Sequence, residues 1–397
     1  MDTLQKVDEK FIKQAAEISL GAEIVPDGVM GLAKKLQQSY ETNTPLRVKL
    51  GLDPTRPDLH LGHTVVMRKL KKFQELGHTI VLLVGGATAM VGDPSGKSET
   101  RPALTKEQVE KNAQTYFDQM SKVLDVSKAE VVNNADWFHP MKFVELLKLA
   151  SSTTVARLLT RDDFNKRYTE GRPISVVEFF YPLMQAYDSV EIKADIELGG
   201  TDQMFNLLMG RDVQNFYGQE NGQIAMMLPL IEGTDGLVKM SKTYPEHCIS
   251  LTDSPKDMYG KLMSIPDSLM DKYYTLLTDL KFNKENNPRD EKMRLAYEIT
   301  KMYNGEEAAN KAQNDFINVV QNKGIPDDIE EVKMDSPLGI LDLLVKLNFT
   351  PSKGEGKRLI AGGGVKFENE KITDAQTVID KSGIIQAGKR KYAKLVF

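Results

Sequence analysis

A strand–helix–strand unit constrains this chain more than any other feature. RVKLGLDP (47–54) reads as a short buried strand, HTVVMRKLKKFQELG (63–77) as an amphipathic helix ended by Gly77, and HTIVLLVGGAT (78–88) as a second, strongly apolar strand. Two strands joined through a helix pair in parallel, and the crossover is right-handed. VEIKADIELGGTDQ (190–203) repeats the strand that runs into glycines, and QIAMMLPLIEG (223–233) supplies another strand. Such endings mark the carboxyl edge of a parallel sheet, where ligands bind in open α/β folds. The expected fold class is therefore α/β with a Rossmann-like parallel sheet. Texture between about 103 and 187 is mostly helical and predicts an insertion; helices also precede the sheet at 1–45 and follow it from 254. GIPDDIEEVKMDSP (324–337) reads as a linker. The expected organisation is a Rossmann-like domain over 1–250 with a helical N-terminal region and an insertion, a helical domain over 251–323, a linker over 324–337 and a small α+β domain over 338–397.

With 397 residues, 41% of them apolar, the chain is long enough for two or three domains with real cores. No apolar run approaches the length that spans a bilayer, and the opening MDTLQKVDEKFIKQ is charged and amphipathic, unlike a signal peptide. A cytoplasmic protein without a membrane partner is expected. Cys248 is the single cysteine, which excludes an internal disulfide and any thiol cluster for zinc or iron. The net charge of −4 is unevenly spread: residues 338–397 hold eleven Lys/Arg against six Asp/Glu, so the body is acidic and the tail basic. A basic tail on an acidic body suggests a module that meets phosphate.

Two of the five histidines fall in LDPTRPDLHLGH (52–63). Residues three apart share a helix face, and with Asp58 as cap His60 and His63 would project from the first turns, where free N–H groups and the dipole favour an anion. Gly62 between them would let a bulky ligand such as a purine approach the backbone. The plain alternative is a pair of polar surface residues at a helix start; a metal site lacks a third ligand. The pair follows a strand and the Gly-x-Asp-Pro-Thr turn at 51–55. In that setting His60-Leu61-Gly62-His63 resembles the HIGH motif of class I aminoacyl-tRNA synthetases, and Lys239-Met240-Ser241-Lys242 matches that family's KMSK signature, about 180 residues further on.

VGDPSGKSET (91–100) is similar to a P-loop but has Val91 where glycine is needed, and Pro94 would remove a phosphate-binding amide. The longer GGATAMVGDPSGKSETR resembles the tyrosyl-tRNA synthetases instead. That resemblance covers nearly the whole chain. It implies that Thr88 and Asp93 lie at the amino-acid pocket and that Lys97 and Arg101 belong to a loop contacting pyrophosphate. Tyr181, Gln185 and Asp188 match the family's Y-x-x-x-Q-x-x-D, and Gly199-Gly200-Thr201-Asp202-Gln203 matches a further motif. By resemblance, Tyr181 and Gln185, with Asp93, hold the substrate ammonium, Asp188 accepts from the phenol, Gln203 lies near the tyrosine and Asp202 holds the ATP ribose. Gly51, Asp53, Gly62, Gly200 and Lys242 complete the ATP contacts. One departure stands out: where many members carry a tyrosine that reads the phenol, this chain has Lys49. Lys49 is expected in the tyrosine site, either donating to the phenolic oxygen or pointing away with a water in its stead.

The resemblance further implies tyrosine–tRNA ligation: the tyrosine carboxylate attacks the α-phosphorus of ATP, pyrophosphate leaves, and the tRNA's terminal ribose takes the tyrosyl group. No side-chain nucleophile is required, so His60, His63, Lys97, Arg101, Lys239 and Lys242 would catalyse by positioning and charge stabilisation. Magnesium would arrive with ATP, with no metal held by the protein itself. The helical domain would bind the anticodon. The segment from about 336 resembles the alpha-L RNA-binding domain that ends many bacterial members, with Lys353, Lys357, Arg358, Lys389, Arg390, Lys391 and Lys394 facing tRNA(Tyr). A homodimer is the family expectation. The rivals are a tryptophanyl relative, another HxGH nucleotidylyltransferase, and a non-catalytic RNA-binding protein on this scaffold; the intact signatures disfavour all three.

Overall fold

The computed structural model describes residues 7–52, 58–92, 106–318, 331–388 and 391–397. It divides into two compact units, 1–305 and 306–397.

The first unit is built on a six-stranded sheet of β1 (Glu23–Val25), β2 (Arg47–Leu52), β3 (Thr79–Val84), β4 (Glu130–Asn133), β5 (Ile196–Gly200) and β6 (Ile224–Leu228), in the order β1-β6-β5-β2-β3-β4. All neighbours run parallel except β1, which is antiparallel to β6. TIVLLV in β3 and IAMML in β6 are apolar at nearly every position because helices cover both faces of a parallel sheet, leaving no solvent side to alternate with. The chain lays down β2, β3 and β4 outward in one direction, then returns to place β5 on the other side of β2. Strand order therefore reverses between β2 and β5, and the crevice of such a fold opens at their carboxyl ends.

Three helices line that crevice, α1 (Leu61–Glu75), α3 (Phe180–Ile192) and α4 (Met204–Phe216), while α2 (Phe143–Ala150) contributes no lining residue. α1 buries Leu61, Val65, Met67, Leu70 and Phe73, and Gly77, at φ 83°, ends it in the left-handed conformation that only glycine adopts cheaply. Two strands depart from expectation. β1 lies in the segment read as helical, and β4 lies in the insertion; both are too short for periodicity to separate from helix. The helices at Pro255–Met263, Met270–Leu277 and Pro288–Asn304 belong to the first unit, so no division falls at residue 251. The reason is packing: Tyr273, Tyr274 and Leu277 are buried, Tyr273 donates its hydroxyl to the Glu232 carbonyl at 2.7 Å, and Arg68 of α1 pairs with Asp279 at 2.8 Å.

The second unit is α+β. α5 (Ile340–Lys346) and α6 (Lys353–Ala361) pack with a five-stranded sheet ordered β10-β9-β12-β13-β7, where β7 is Glu331–Lys333, β9 Val365–Phe367, β10 Glu370–Lys371, β12 Gly383–Ala387 and β13 Lys391–Val396; β8 (Leu338–Gly339) pairs with β11 (Val378–Ile379). Its core gathers Ile340, Leu343, Leu344, Ile360, Val365, Ile385 and Leu395. β7 lies inside the stretch read as linker: it runs parallel to β13, with Lys394 paired to Glu331. A charged, proline-flanked strand at a sheet edge has the composition of a linker, which is why it was legible only as one.

Candidate active site

The carboxyl ends of β2 and β5 open into a cleft of about 760 Å³. Gly51 and Leu52 end β2 there, Gly199 and Gly200 end β5, and α1 enters with its N-terminus.

The two histidines define the start of α1 themselves. His60, not Asp58, is the N-cap: its Nδ1 accepts from the Gly62 N–H at 3.1 Å, while His63 Nδ1 accepts from the His60 N–H at 3.2 Å. Each ring thus answers the orphan amide that a Ser/Glu capping box would answer. With Nδ1 an acceptor in both, the neutral tautomer carries its proton on Nε2. Burial, then the neighbouring His63 and the two lysines, pushes His60 down to about 2; burial and Lys242 push His63 down to about 4. Both rings are therefore neutral hydrogen-bond donors at neutral pH. Gly62 has a steric reason within the chain, since a Cβ there would lie 2.9 Å from the His60 ring. Gly51 has none, because its Cβ position faces open space.

The second signature reaches the same cleft by backbone pairing. Leu61 N–H donates to the Ile249 carbonyl and Leu251 N–H to that of Leu59, both at 3.0 Å, which ties the head of α1 to the segment beyond the Lys239–Lys242 loop. Met240 is buried and its N–H donates to Ile231 at 2.8 Å, so the loop is anchored between its two lysines. Lys239 pairs with Asp202 at 3.1 Å, and Lys242 lies 4.0 Å from Asp58. His60, His63, Lys239 and Lys242 all line the cleft.

Thr88, Tyr181, Gln185, Asp188 and Gln203, the residues expected at an amino-acid pocket, line the same cleft. α3 presents Tyr181, Gln185 and Asp188 on one face because they are four and three residues apart. Asp188 is buried, and accepts from Trp137 Nε1 at 3.0 Å and from Asn134 Nδ2 at 3.2 Å. Burial pushes its carboxyl up to about 7, opposed by Lys49 and those two donors. Asn206 Nδ2 donates to Gln185 Oε1 and to Gln203 Oε1, each at 2.9 Å, and so fixes both amides.

Residues 41–321 match the family model described as tRNA synthetases class I (W and Y). The chain belongs to the class I tRNA synthetases. Among curated relatives of this synthetase, the tyrosine–tRNA ligase of Thermotoga maritima is 53% identical over 88% of this chain and 90% of its own, and that of Moorella thermoacetica 48% over 98% and 97%. A C-terminally truncated mitochondrial tyrosyl-tRNA synthetase of Aspergillus nidulans superposes with a TM-score of 0.61 at 22% identity, covering 77% of this chain and 92% of that one, a likeness of fold.

Of the two arrangements expected for Lys49, donation to the phenol or a side chain pointing away, its placement fits the second, since it does not line the synthetase cleft. It is 0% exposed, is absent from the cleft lining, and donates to Gln185 O (2.9 Å) and Ser189 Oγ (2.8 Å) while pairing with Glu197 (3.0 Å). Glu197, Asn134, Trp137 and Asn206 escaped the sequence reading. Trp137, the single tryptophan, and Asn134 follow the unrecognised β4, so nothing marked them as lying at a strand's carboxyl end; Asn206 sits one turn after the Gly-Gly-Thr-Asp-Gln motif. Asp53, Asp93, Lys97, Arg101, Lys389 and Arg390 lie outside the described residues. In the second unit Lys357 and Arg358 are exposed and line one shallow cavity. Lys353 pairs with Asp342, and Lys391 donates to the Asn348 and Phe349 carbonyls.

Proposed function

We infer that this chain is a tyrosine–tRNA ligase. The observation that carries the reading is the buried acceptor Asp188 in the same cleft as both phosphate-directed signatures. Tyrosine's hydroxyl would add a further donor to that carboxyl beside Trp137 and Asn134, and phenylalanine would forgo that hydrogen bond, worth about 1.5–3 kcal/mol where the acceptor is charged. High identity to curated tyrosine–tRNA ligases over nearly their full length supports the same conclusion.

Tyr181 and Gln185 would hold the substrate ammonium with Asp93, Thr88 and Gln203 would flank the ring, and Asp202 would take the ATP ribose. The carboxylate oxygen of tyrosine attacks the α-phosphorus, the bond to the bridging oxygen breaks, and pyrophosphate leaves with the electron pair. The Nε2–H donors of His60 and His63 and the ammonium groups of Lys239 and Lys242 meet the phosphate oxygens whose charge grows in that step. Lys97 and Arg101 would add to them. Magnesium enters as the ion ATP carries on its own phosphates. The hydroxyl of the tRNA's terminal ribose then attacks the tyrosyl carbonyl and AMP leaves.

The finer partner assignments are an anticodon-binding surface on the helices after residue 250 and tRNA backbone contacts from the basic second unit, where Lys357 and Arg358 are open to solvent. No described helix is long and apolar enough to cross a membrane, and a cytoplasmic site fits the single buried cysteine. A homodimer is supported by α2, which exposes Phe143 (72%), Val144 (74%) and Leu147 on one solvent face. Phe143→Glu should shift the particle mass in sedimentation from two chains to one.

The deciding experiment is ATP/pyrophosphate exchange with each amino acid in turn. Exchange is expected with tyrosine; exchange driven by a different amino acid overturns the reading.

A further inference from the structure

A buried ion pair to which the reaction assigns no step borders the cleft: Glu197 is among the residues that line it and Lys49 lies behind. Lys49 on β2 and Glu197 on β5 are register partners across the point where strand order reverses, with Nζ and Oε1 3.0 Å apart and side chains 0% and 1% exposed. Buried pairs are on average no more stabilising than apolar residues of the same volume, because both charges must leave water. Fold stability is therefore a weak reason for this one, and its hydrogen bonds give a better one.

An ammonium has three N–H donors, and those of Lys49 are matched by three acceptors: Glu197 Oε1, the Gln185 carbonyl at 2.9 Å and Ser189 Oγ at 2.8 Å. No donor remains for a phenol. Glu197 in turn accepts from Gln185 Nε2 at 3.2 Å, from Ser189 Oγ at 3.1 Å and from Gln223 Nε2 at 2.5 Å. The pair thus grips Gln185 by main chain and side chain, and Ser189 by its hydroxyl. Those two residues bracket Asp188 on a single turn of α3.

We propose that Lys49 and Glu197 are positioning residues for the amino-acid pocket: together they clamp the turn 185–189 to the sheet and so fix the spacing between the ammonium site at Gln185 and the phenol site at Asp188. The proposal rests on the tyrosine-pocket reading of those two residues. Lysine here takes the place of a direct phenol contact with an indirect one, leaving Asp188 with Asn134 and Trp137 to read the hydroxyl.

The test is steady-state exchange on the full-length protein carrying K49M and E197Q together, which removes both charges and leaves neither buried alone. The KM for tyrosine should rise about tenfold while the KM for ATP moves less than about twofold, since a small misplacement of a binding group acts on its own substrate. A merely structural pair would lower the melting temperature and leave both KM values of the folded enzyme in place. Ser189→Ala removes one contact from each partner without touching a charge, and should show the same split at about threefold. If the double variant does not fold, Ser189→Ala decides; a wild-type tyrosine KM in the folded variants overturns the proposal. Gln185→Ala separates the two levels. Should it leave the tyrosine KM unchanged, the pocket reading itself falls; should it raise that KM while the clamp variants do not, only the clamp falls.

Discussion

The two halves of the cleft follow opposite plans. On the side proposed for phosphate the working groups are lightly engaged among the described residues: two neutral imidazoles whose Nδ1 atoms are spent on main-chain amides, and Lys239 on a half-exposed loop, paired with the part-exposed Asp202 carboxylate. On the amino-acid side nearly every polar atom is satisfied before substrate arrives, through Lys49, Glu197, Gln185, Asn206, Asn134, Trp137 and Asp188. The difference matches what each half must do. Charge that builds up during reaction is best met by donors that cost nothing to reorganise at that moment, whereas a ligand of fixed shape is best met by a rigid socket.

The largest expected effect tests the first half. In His63→Asn the asparagine oxygen can stand where Nδ1 stands and keep the His60 amide capped, but no group replaces Nε2–H. The rate of adenylate formation should fall by about 10²- to 10³-fold with both KM values nearly unchanged, the cost of one missing donor to developing charge. Stopped-flow measurement checks it; a raised KM at wild-type rate would mean that this side also binds the ground state and the contrast is false. Next in size is Asp188→Asn, which should raise the tyrosine KM by about five- to a hundredfold for one unmet buried hydrogen bond. Because burial holds the Asp188 carboxyl up near 7, it gains a proton as pH falls through that value and becomes a poorer acceptor. The tyrosine KM should therefore climb on the acid side in the wild type and stay flat in the variant.

A third expectation concerns stability. His60 and His63 titrate far below their ordinary 6.5 in the folded chain, at about 2 and about 4. Between the folded and unfolded values the unfolded state binds more protons, so stability is full above about 6.5 and is lost as pH drops toward 4. Denaturant unfolding at pH 7 and pH 5 should show that loss, smaller in His63→Asn. An unchanged difference between the two proteins would place the acid-sensitive groups elsewhere.

What the sequence disclosed follows the same division. The phosphate side is written in short contiguous strings because local geometry makes it: a helix start needs its cap within three residues, so His60 and His63 had to be neighbours, with His60 rather than the candidate Asp58 as the cap. The parallel sheet was legible from β2, β3, β5 and β6, whose apolar runs end in glycine. The amino-acid side is assembled from five separate strands and helices, β2, β4, β5, α3 and α4. Gln185 and Asp188 were legible from their shared helix face, but Glu197 looks like any charge in a strand until β5 is seen to lie beside β2 in register. Trp137 and Asn134 depended on β4, four residues long at the sheet edge and with half-polar composition, which periodicity could not tell from its helical surroundings. The boundary at 305 was hidden for a similar reason, since helices after 250 carry the same amphipathic pattern whether they pack on this unit or on themselves.

The smallest effect is the most exacting test of the contrast. Lys239 and Asp202 form an ion pair 3.1 Å long with side chains 56% and 34% exposed, at a place where the ATP ribose and phosphates would claim both partners. An exposed pair of this kind contributes about 0–1 kcal/mol and is screened by salt. Lys239→Met should therefore leave the melting temperature of the ligand-free protein almost where it was, and raising the salt concentration should move the wild type and the variant alike. The same substitution should still slow adenylate formation, because the ammonium is needed only when the phosphate charge grows. A melting temperature lowered by several degrees would show Lys239 to be part of the scaffold before any nucleotide binds, and the phosphate half would then be as preassembled as the other.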